Sequence, residues 1–169
     1  DCTDVDPGYF AVDEVQQYTP SAAVGSSPCP GGTFSIDGTG ACADVAPGNQ
    51  AVDSSGAYAS SAAANEATCA NGHYNLDGDG PCIEVAAGYV ASTSSTATNT
   101  QADCSTVQCT HAAPCQGGSF KAATGAGSCD AVGAGNYGHV YGHMYVATAA
   151  TGKSPCPSGT FDDSTNNLG

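Results

Sequence analysis

Cys29-Pro-Gly-Gly-Thr-Phe34-Ser-Ile-Asp-Gly-Thr-Gly-Ala-Cys42, running on into Ala43-Asp-Val45-Ala-Pro-Gly48, is the stretch on which the fold turns. It contains two motifs, Cys-x-x-Gly-x-aromatic and then Cys-x-x-Val-x-x-Gly. After Phe34 the residues alternate and reach Asp37-Gly38 and a Gly-x-Gly, a pattern that predicts a short hairpin between the two cysteines. A disulfide across the open ends of such a hairpin is geometrically natural. Closing a loop of this length contributes ~3 kcal/mol through chain entropy.

Both motifs recur along the chain in fixed order, giving four copies of about forty residues. The first motif of each copy is Cys2-Val5-Gly8, Cys42-Val45-Gly48, Cys82-Val85-Gly88 and Cys129-Val132-Gly135. The second is Cys29-Gly32-Phe34, Cys69-Gly72-Tyr74, Cys115-Gly118-Phe120 and Cys156-Gly159-Phe161. The opening cysteines stand 40, 40 and 47 residues apart. The third copy is longer because it holds an insertion with its own pair, Cys104 and Cys109. The expected repeats are 1–41, 42–81, 82–128 with the insertion, and 129–169.

Two disulfide pairings fit these spacings. In the first, Cys29 joins Cys42, Cys69 joins Cys82, Cys115 joins Cys129 and Cys104 joins Cys109. This is the preferred one, because it closes the predicted hairpins. It leaves Cys2 and Cys156 to bond between units, so the chain is expected to be a phase-cut piece of a longer array. In the second, each repeat closes on itself, Cys2 to Cys29 and Cys129 to Cys156, across Ala/Ser-rich stretches of unequal length.

Composition explains why crosslinks are needed. Val, Ile, Leu, Phe and Met number 21 among 169 residues, and there is no Trp. With a formal charge of −14, a chain so poor in large apolar residues would be expected to be disordered. Ten cysteines reverse that expectation by shrinking the unfolded ensemble. Such frameworks persist in oxidising surroundings, so the expected location is extracellular, secreted or at the cell surface. No Cys-x-x-Cys pair occurs, and the four His are not spaced to complete a zinc site. With two Lys and no Arg, nothing can neutralise phosphates, which excludes nucleic acid and anionic membrane surfaces as partners. No apolar run approaches a membrane span of ~20 residues. The chain opens at Asp1 without a signal peptide, so any targeting signal is expected to lie elsewhere.

The Cys-Pro-Gly-Gly-Thr-Phe at 29–34 and the Cys-Pro-Ser-Gly-Thr-Phe at 156–161 resemble the ephrin-receptor-like cysteine-rich repeats. They are also similar to the smallest disulfide module of tumour-necrosis-factor-receptor ectodomains. In both groups a Cys-x-x-Gly-x-aromatic turn is tied to a cysteine about 13 residues on, so the resemblance favours the short-loop pairing. Proteins of this kind in microbial eukaryotes include flagellar-hair (mastigoneme) and cell-surface fibre proteins. The resemblance implies extracellular architecture and names no ligand.

Ala/Ser/Thr-rich spacers separate the cysteine motifs. The densest holds Ser92, Thr93, Ser94, Ser95, Thr96, Thr98 and Thr100, candidates for O-linked glycans. A bare loop is the alternative, and no Asn-x-Ser/Thr sequon occurs. Farther on, Tyr137, His139, Tyr141, His143 and Tyr145 alternate with small or apolar residues. Strict period two predicts a strand whose Tyr/His face could meet a neighbouring subunit or stack on sugar rings. His139 and His143 also have helical metal-ligand spacing, but the flanking glycines disfavour a helix. Asn75-Leu-Asp77-Gly-Asp79-Gly80 imitates the start of an EF-hand loop, yet its twelfth position is Ala86. Turn chemistry is the preferred reading there. No cofactor is expected beyond weak calcium binding by the acidic surface.

No nucleophile elbow, metalloprotease helix motif, P-loop or dinucleotide fingerprint is present, so no enzyme activity is expected. The expected fold is small, disulfide-rich and mostly β or irregular, an elongated array of four cysteine-rich repeats that stack on one another. The expected role is a structural unit of an extracellular filament, hair or coat that self-associates and carries O-linked glycans. The alternative is a ligand-binding or adhesive receptor ectodomain. An ice-binding solenoid, a third class, lacks its regular short Thr-x-Thr period.

Overall fold

A computed structural model describes residues 2–141 and 144–161. Among them there is no α-helix, and the strands are short and antiparallel. Cys29 is bonded to Cys42, Cys69 to Cys82, Cys104 to Cys109 and Cys115 to Cys129. The fold is therefore a disulfide-rich, strand-rich one. It falls into two compact units, the first running to Cys69 with Asn75–Cys82, the second comprising Ala70–Tyr74 and Ile83 onward.

In the first unit β1 (Tyr9–Val12) pairs with β2 (Gly25–Pro28), and β5 (Asn49–Val52) with β6 (Asn65–Thr68). Between these hairpins lies a two-residue ladder of β3 (Thr33–Phe34), inside the loop closed by Cys29–Cys42, and β4 (Ala43–Asp44), just past its closing cysteine. Each long hairpin is reversed around an aspartate. Asp53 Oδ1 accepts from the Ser55 amide at 2.8 Å, the Ser55 hydroxyl at 2.6 Å and the Ala57 amide at 3.1 Å. Asp13 accepts from the Val15 and Gln17 amides, both at 3.0 Å. Pro28 ends β2 without penalty because a strand in a two-stranded sheet has a free side.

What joins hairpin to locked turn is a contact between small residues and one aromatic. Ala62, in the left-handed region at φ 54°, donates its N–H to the Cys29 carbonyl at 2.8 Å. The Ser35 N–H donates to the Ala63 carbonyl at 3.0 Å, and Phe34 forms a parallel bridge with Ala63. Ala63 is fully buried there, in a cluster with Val45, Ala51, Phe34 and Ala59. The side chain after the aromatic then fills its own loop. Ser35 Oγ accepts from the Gly38 amide, while the buried Asn75 donates to the Asn49 carbonyl at 2.8 Å and accepts from the Gly78 amide at 3.1 Å.

The second unit repeats this construction with variations. The ladder of β7 (His73–Tyr74) with β8 (Ile83–Glu84) precedes the hairpin of β9 (Tyr89–Ser92) with β10 (His111–Pro114). A second ladder pairs β11 (Ser119–Phe120), inside the Cys115–Cys129 loop, with β12 (Asp130–Ala131), just past it. A three-stranded sheet follows, β13 (Asn136–Val140) between β14 (Met144–Tyr145) and β15 (Gly152–Pro155). Ala149 (φ 57°) and Ala150 receive Cys115 and Phe120 as Ala62 and Ala63 receive Cys29 and Phe34. Under Tyr74 the inserted disulfide takes that role, since Cys104 and Cys109 are buried with Val85 and Ala91 and Tyr74 packs on them. The Cys104 amide donates to Asn71 Oδ1 at 2.8 Å, which pins the insertion in place.

The core is thin throughout. The largest fully buried side chains are Val12, Val85, Val90 and Val132, followed by cysteines. A buried Val contributes ~1.5–2 kcal/mol, too little in these numbers to offset the entropy of so many ordered residues without crosslinks.

Candidate assembly faces

Of the ten cysteines, Cys2 and Cys156 carry free thiols; Cys2 is exposed and Cys156 half-buried. Cys2 opens onto a cleft of about 600 Å³, whose wall includes Val5, Thr19, Ala22, Ala23 and Val24. At the other extremity of the described chain, Phe161 is 83 % exposed. Its counterparts Phe34, Tyr74 and Phe120 are all partly buried.

The Ser/Thr stretch is more ordered than a bare spacer. Ser92 closes β9, and its hydroxyl accepts from the Ser94 amide at 3.3 Å. Ser94 and Thr98 repeat the arrangement toward Thr96 and Thr100, a chain of small hydroxyl-capped turns. The hydroxyl-bearing residues Thr93, Ser94, Ser95, Thr96 and Thr100 are exposed, while Ser92 and Thr98 are half-buried. Asn99 ties this segment to the locked turn beyond it. Its carbonyl accepts from Cys129 N–H at 2.9 Å and its side chain from Gln116 N–H at 3.0 Å.

Tyr137 and His139 lie on β13, but the strand does not run on to residue 145. β13 ends at Val140, and β14 returns antiparallel with Tyr145 opposite His139. Alternation cannot distinguish one long strand from a fold-back that keeps the same face turned outward, so period two survived the reversal. His143 lies outside the described residues. The Tyr137 and His139 rings meet at a tilt of 59° with 6.1 Å between centroids, and the His139 ring lies over the cross-strand Gly152. Tyr141, Met144 and Tyr145 are exposed around them. Lys153 on β15 holds its ammonium 5.6 Å from the centre of the Phe120 ring.

The EF-hand-like stretch uses its side chains internally. Asn75 is committed to backbone groups, Gly78 N–H and the Gly80 carbonyl in its own loop and the Asn49 carbonyl outside it, and Asp77 accepts from the Asp79 amide at 3.1 Å. Asp37, Asp53 and Asp103 are held below the ordinary carboxylate value, chiefly by Thr39 N–H, the Ser55 hydroxyl and the Ser105 hydroxyl respectively. Lys121, at the position of Ser35 and Asn75, is buried and donates to the Gly125 carbonyl at 2.5 Å. Desolvation lowers its pKa, with the Glu84 carboxylate opposing. Among the described residues no group of three or more His, Cys, Asp or Glu is placed to hold a metal ion.

Four disulfides are compatible with an extracellular or secreted location. No helix among the described residues is long and apolar enough to cross a membrane. No protein-family model matches the chain, and comparison with curated proteins returns no match.

Proposed function

We propose that this chain is a structural unit of an extracellular filament, hair or cell-surface coat, an array of four cysteine-rich modules with a mechanical, non-catalytic role. The observation that carries this reading is the twice-made contact in which a disulfide-locked turn rests its aromatic on the alanine pair of a later hairpin. A module built this way offers a turn at one end and a seat at the other, so it is suited to addition in series. The likeness of residues 29–34 and 156–161 to cysteine-rich repeats of fibre proteins agrees with it. So does the poverty of cations, which leaves little with which to grip an anionic ligand. Electron microscopy of the native material should show regular fibres or a continuous coat. Dispersed single particles would instead favour a receptor ectodomain.

The exposed hydroxyls of Thr93, Ser94, Ser95, Thr96 and Thr100 are the proposed carriers of O-linked glycans. The intact mass of native protein should then exceed 16.4 kDa by hexose or pentose increments. A mass equal to that of the bare chain would reject the modification.

A further inference from the structure

The same joint is built twice inside this chain. Ala62 N–H donates to the Cys29 carbonyl at 2.8 Å, and Ala149 N–H to the Cys115 carbonyl at 3.0 Å. Phe34 bridges to Ala63 and Phe120 to Ala150, both parallel, and these alanines are 0 % and 2 % exposed. Gly8 and Gly88 complete the two joints by lying directly against the carbonyls of Ala62 and Ala149.

The first hairpin carries this seat with no turn upon it. Ala22 has the same left-handed backbone, φ 58°, yet Ala22 and Ala23 are both exposed. Among the described residues neither the Ala22 N–H nor the Ala23 carbonyl has a backbone partner. The cleft at Cys2 lies over this seat. Val5 beside it is half-buried, and its N–H has no counterpart of the 2.8 Å bonds that Val45, Val85 and Val132 make to Gly32, Gly72 and Gly118.

The last described turn is the same device with no seat. Residues 156–161 repeat 29–34 with one change, Ser158 for Gly31. The turn has the same internal bonds: Thr160 Oγ1 donates to the Pro157 carbonyl and Thr33 Oγ1 to the Pro30 carbonyl, both at 2.8 Å. Yet Phe161 is exposed, Cys156 is unbonded, and Gly135 has open space where Gly8 and Gly88 meet a carbonyl.

We infer that residues 156–161 of one copy dock on Ala22–Ala23 of a second copy, with Cys156 bonded to that copy's Cys2. This joint rests on the reading of the chain as a unit of an assembly and specifies its contact. The register follows the three internal ladders, placing Thr160 opposite Asp4 and Phe161 opposite Thr3. Ala22 N–H donates to the Cys156 carbonyl, and Phe161 covers Ala23. Bond formation joins two thiol sulfurs. Two protons and two electrons pass to a disulfide of the thiol–disulfide exchange type, which is reduced to its dithiol. The contact is heterologous, so each joined copy leaves one turn and one seat free for the next.

The test uses Cys2→Ser and Cys156→Ser forms of the whole chain, neither of which touches the four internal disulfides. In a glutathione redox buffer the unaltered chain should give a ladder of covalent oligomers. Each variant alone should stay monomeric, and an equimolar mixture should give one covalent dimer with a Cys2–Cys156 linked peptide. Ala23→Glu and Phe161→Asp, at exposed positions, should each cut that dimer's yield about tenfold or more, as loss of a buried anchor does. Covalent dimers of either variant alone would overturn the inference. So would a Cys2–Cys156 bond within one monomer, or a yield indifferent to Ala23→Glu and Phe161→Asp. Native filaments whose Cys2 peptide is linked to some other sequence would sink this joint and leave the filament reading standing. The linked peptide in native material that forms no filament would sustain the joint and defeat that reading.

Discussion

Complete reduction with alkylation of the thiols should unfold this protein at room temperature in mild buffer, abolishing its far-ultraviolet signal. The largest fully buried side chains are valines, and much of the remaining core is the cystines themselves. Three of the disulfides close loops with separations of 13, 13 and 14 residues. Each such loop contributes ~3 kcal/mol by chain entropy, so the three together approach the whole net stability of an ordinary domain, about 5–15 kcal/mol. The fourth, Cys104–Cys109, is in addition the packing surface for Tyr74. A cooperative thermal transition surviving in the alkylated protein would show that the apolar contacts suffice alone.

Gly8→Ala should cost about 3 kcal/mol, whereas Gly56→Ala should cost only about 1 kcal/mol. Both glycines are left-handed, at φ 85° and 86°. Around Gly56 a methyl group meets open space, so the penalty there is backbone preference alone. At Gly8 the new Cβ would fall 2.1 Å from the Ala62 carbonyl oxygen. Relief requires moving one of two segments that are bonded on every side. Gly8 N–H donates to the Ser35 carbonyl at 2.7 Å, and its carbonyl accepts from Cys29 N–H at 2.8 Å. Melting curves of the two variants with disulfides intact decide the matter, at about 4–8 °C per kcal/mol for a unit of this size. Equal shifts would mean that the close approach at Gly8 is not what holds the turn to its seat.

The elements most legible in the sequence were those whose chemistry is local. Asp-Gly and Gly-x-Gly between alternating residues predict a hairpin between the two cysteines. An antiparallel ladder does start at each aromatic, but its second strand lies just past the closing cysteine, so the disulfide does not bridge the hairpin's open ends. Spacing alone left two cysteine pairings open; only the hairpin pattern and the resemblance weighed between them. The alanine seats were not legible, because a left-handed Ala carries no mark in the sequence. Ala62 and Ala149 look like ordinary spacer residues until Cys29 and Cys115 are placed beside them. The fold-back after Val140 was equally hidden, since an antiparallel return can preserve alternation. Ser35, Asn75 and Lys121 share one buried place while having no chemistry in common beyond reaching a backbone carbonyl or amide. A pattern search keyed to residue type passes over such a position.

The closed loops also determine how such a chain would behave under tension. Pulling on its ends loads the covalent path, and each cystine diverts that path around the residues it encloses. The aromatics inside those loops, Phe34, Tyr74 and Phe120, are thus shielded from the load, whereas the strands that pair with them, just past each closing cysteine, lie on it. Extension falls on the hairpins between cystines, and the stretch from Cys42 to Cys69 can reach at most roughly 90–95 Å. Beyond that length the chain stiffens against covalent bonds, with every turn still closed by its cystine and ready to find its seat when the load is released.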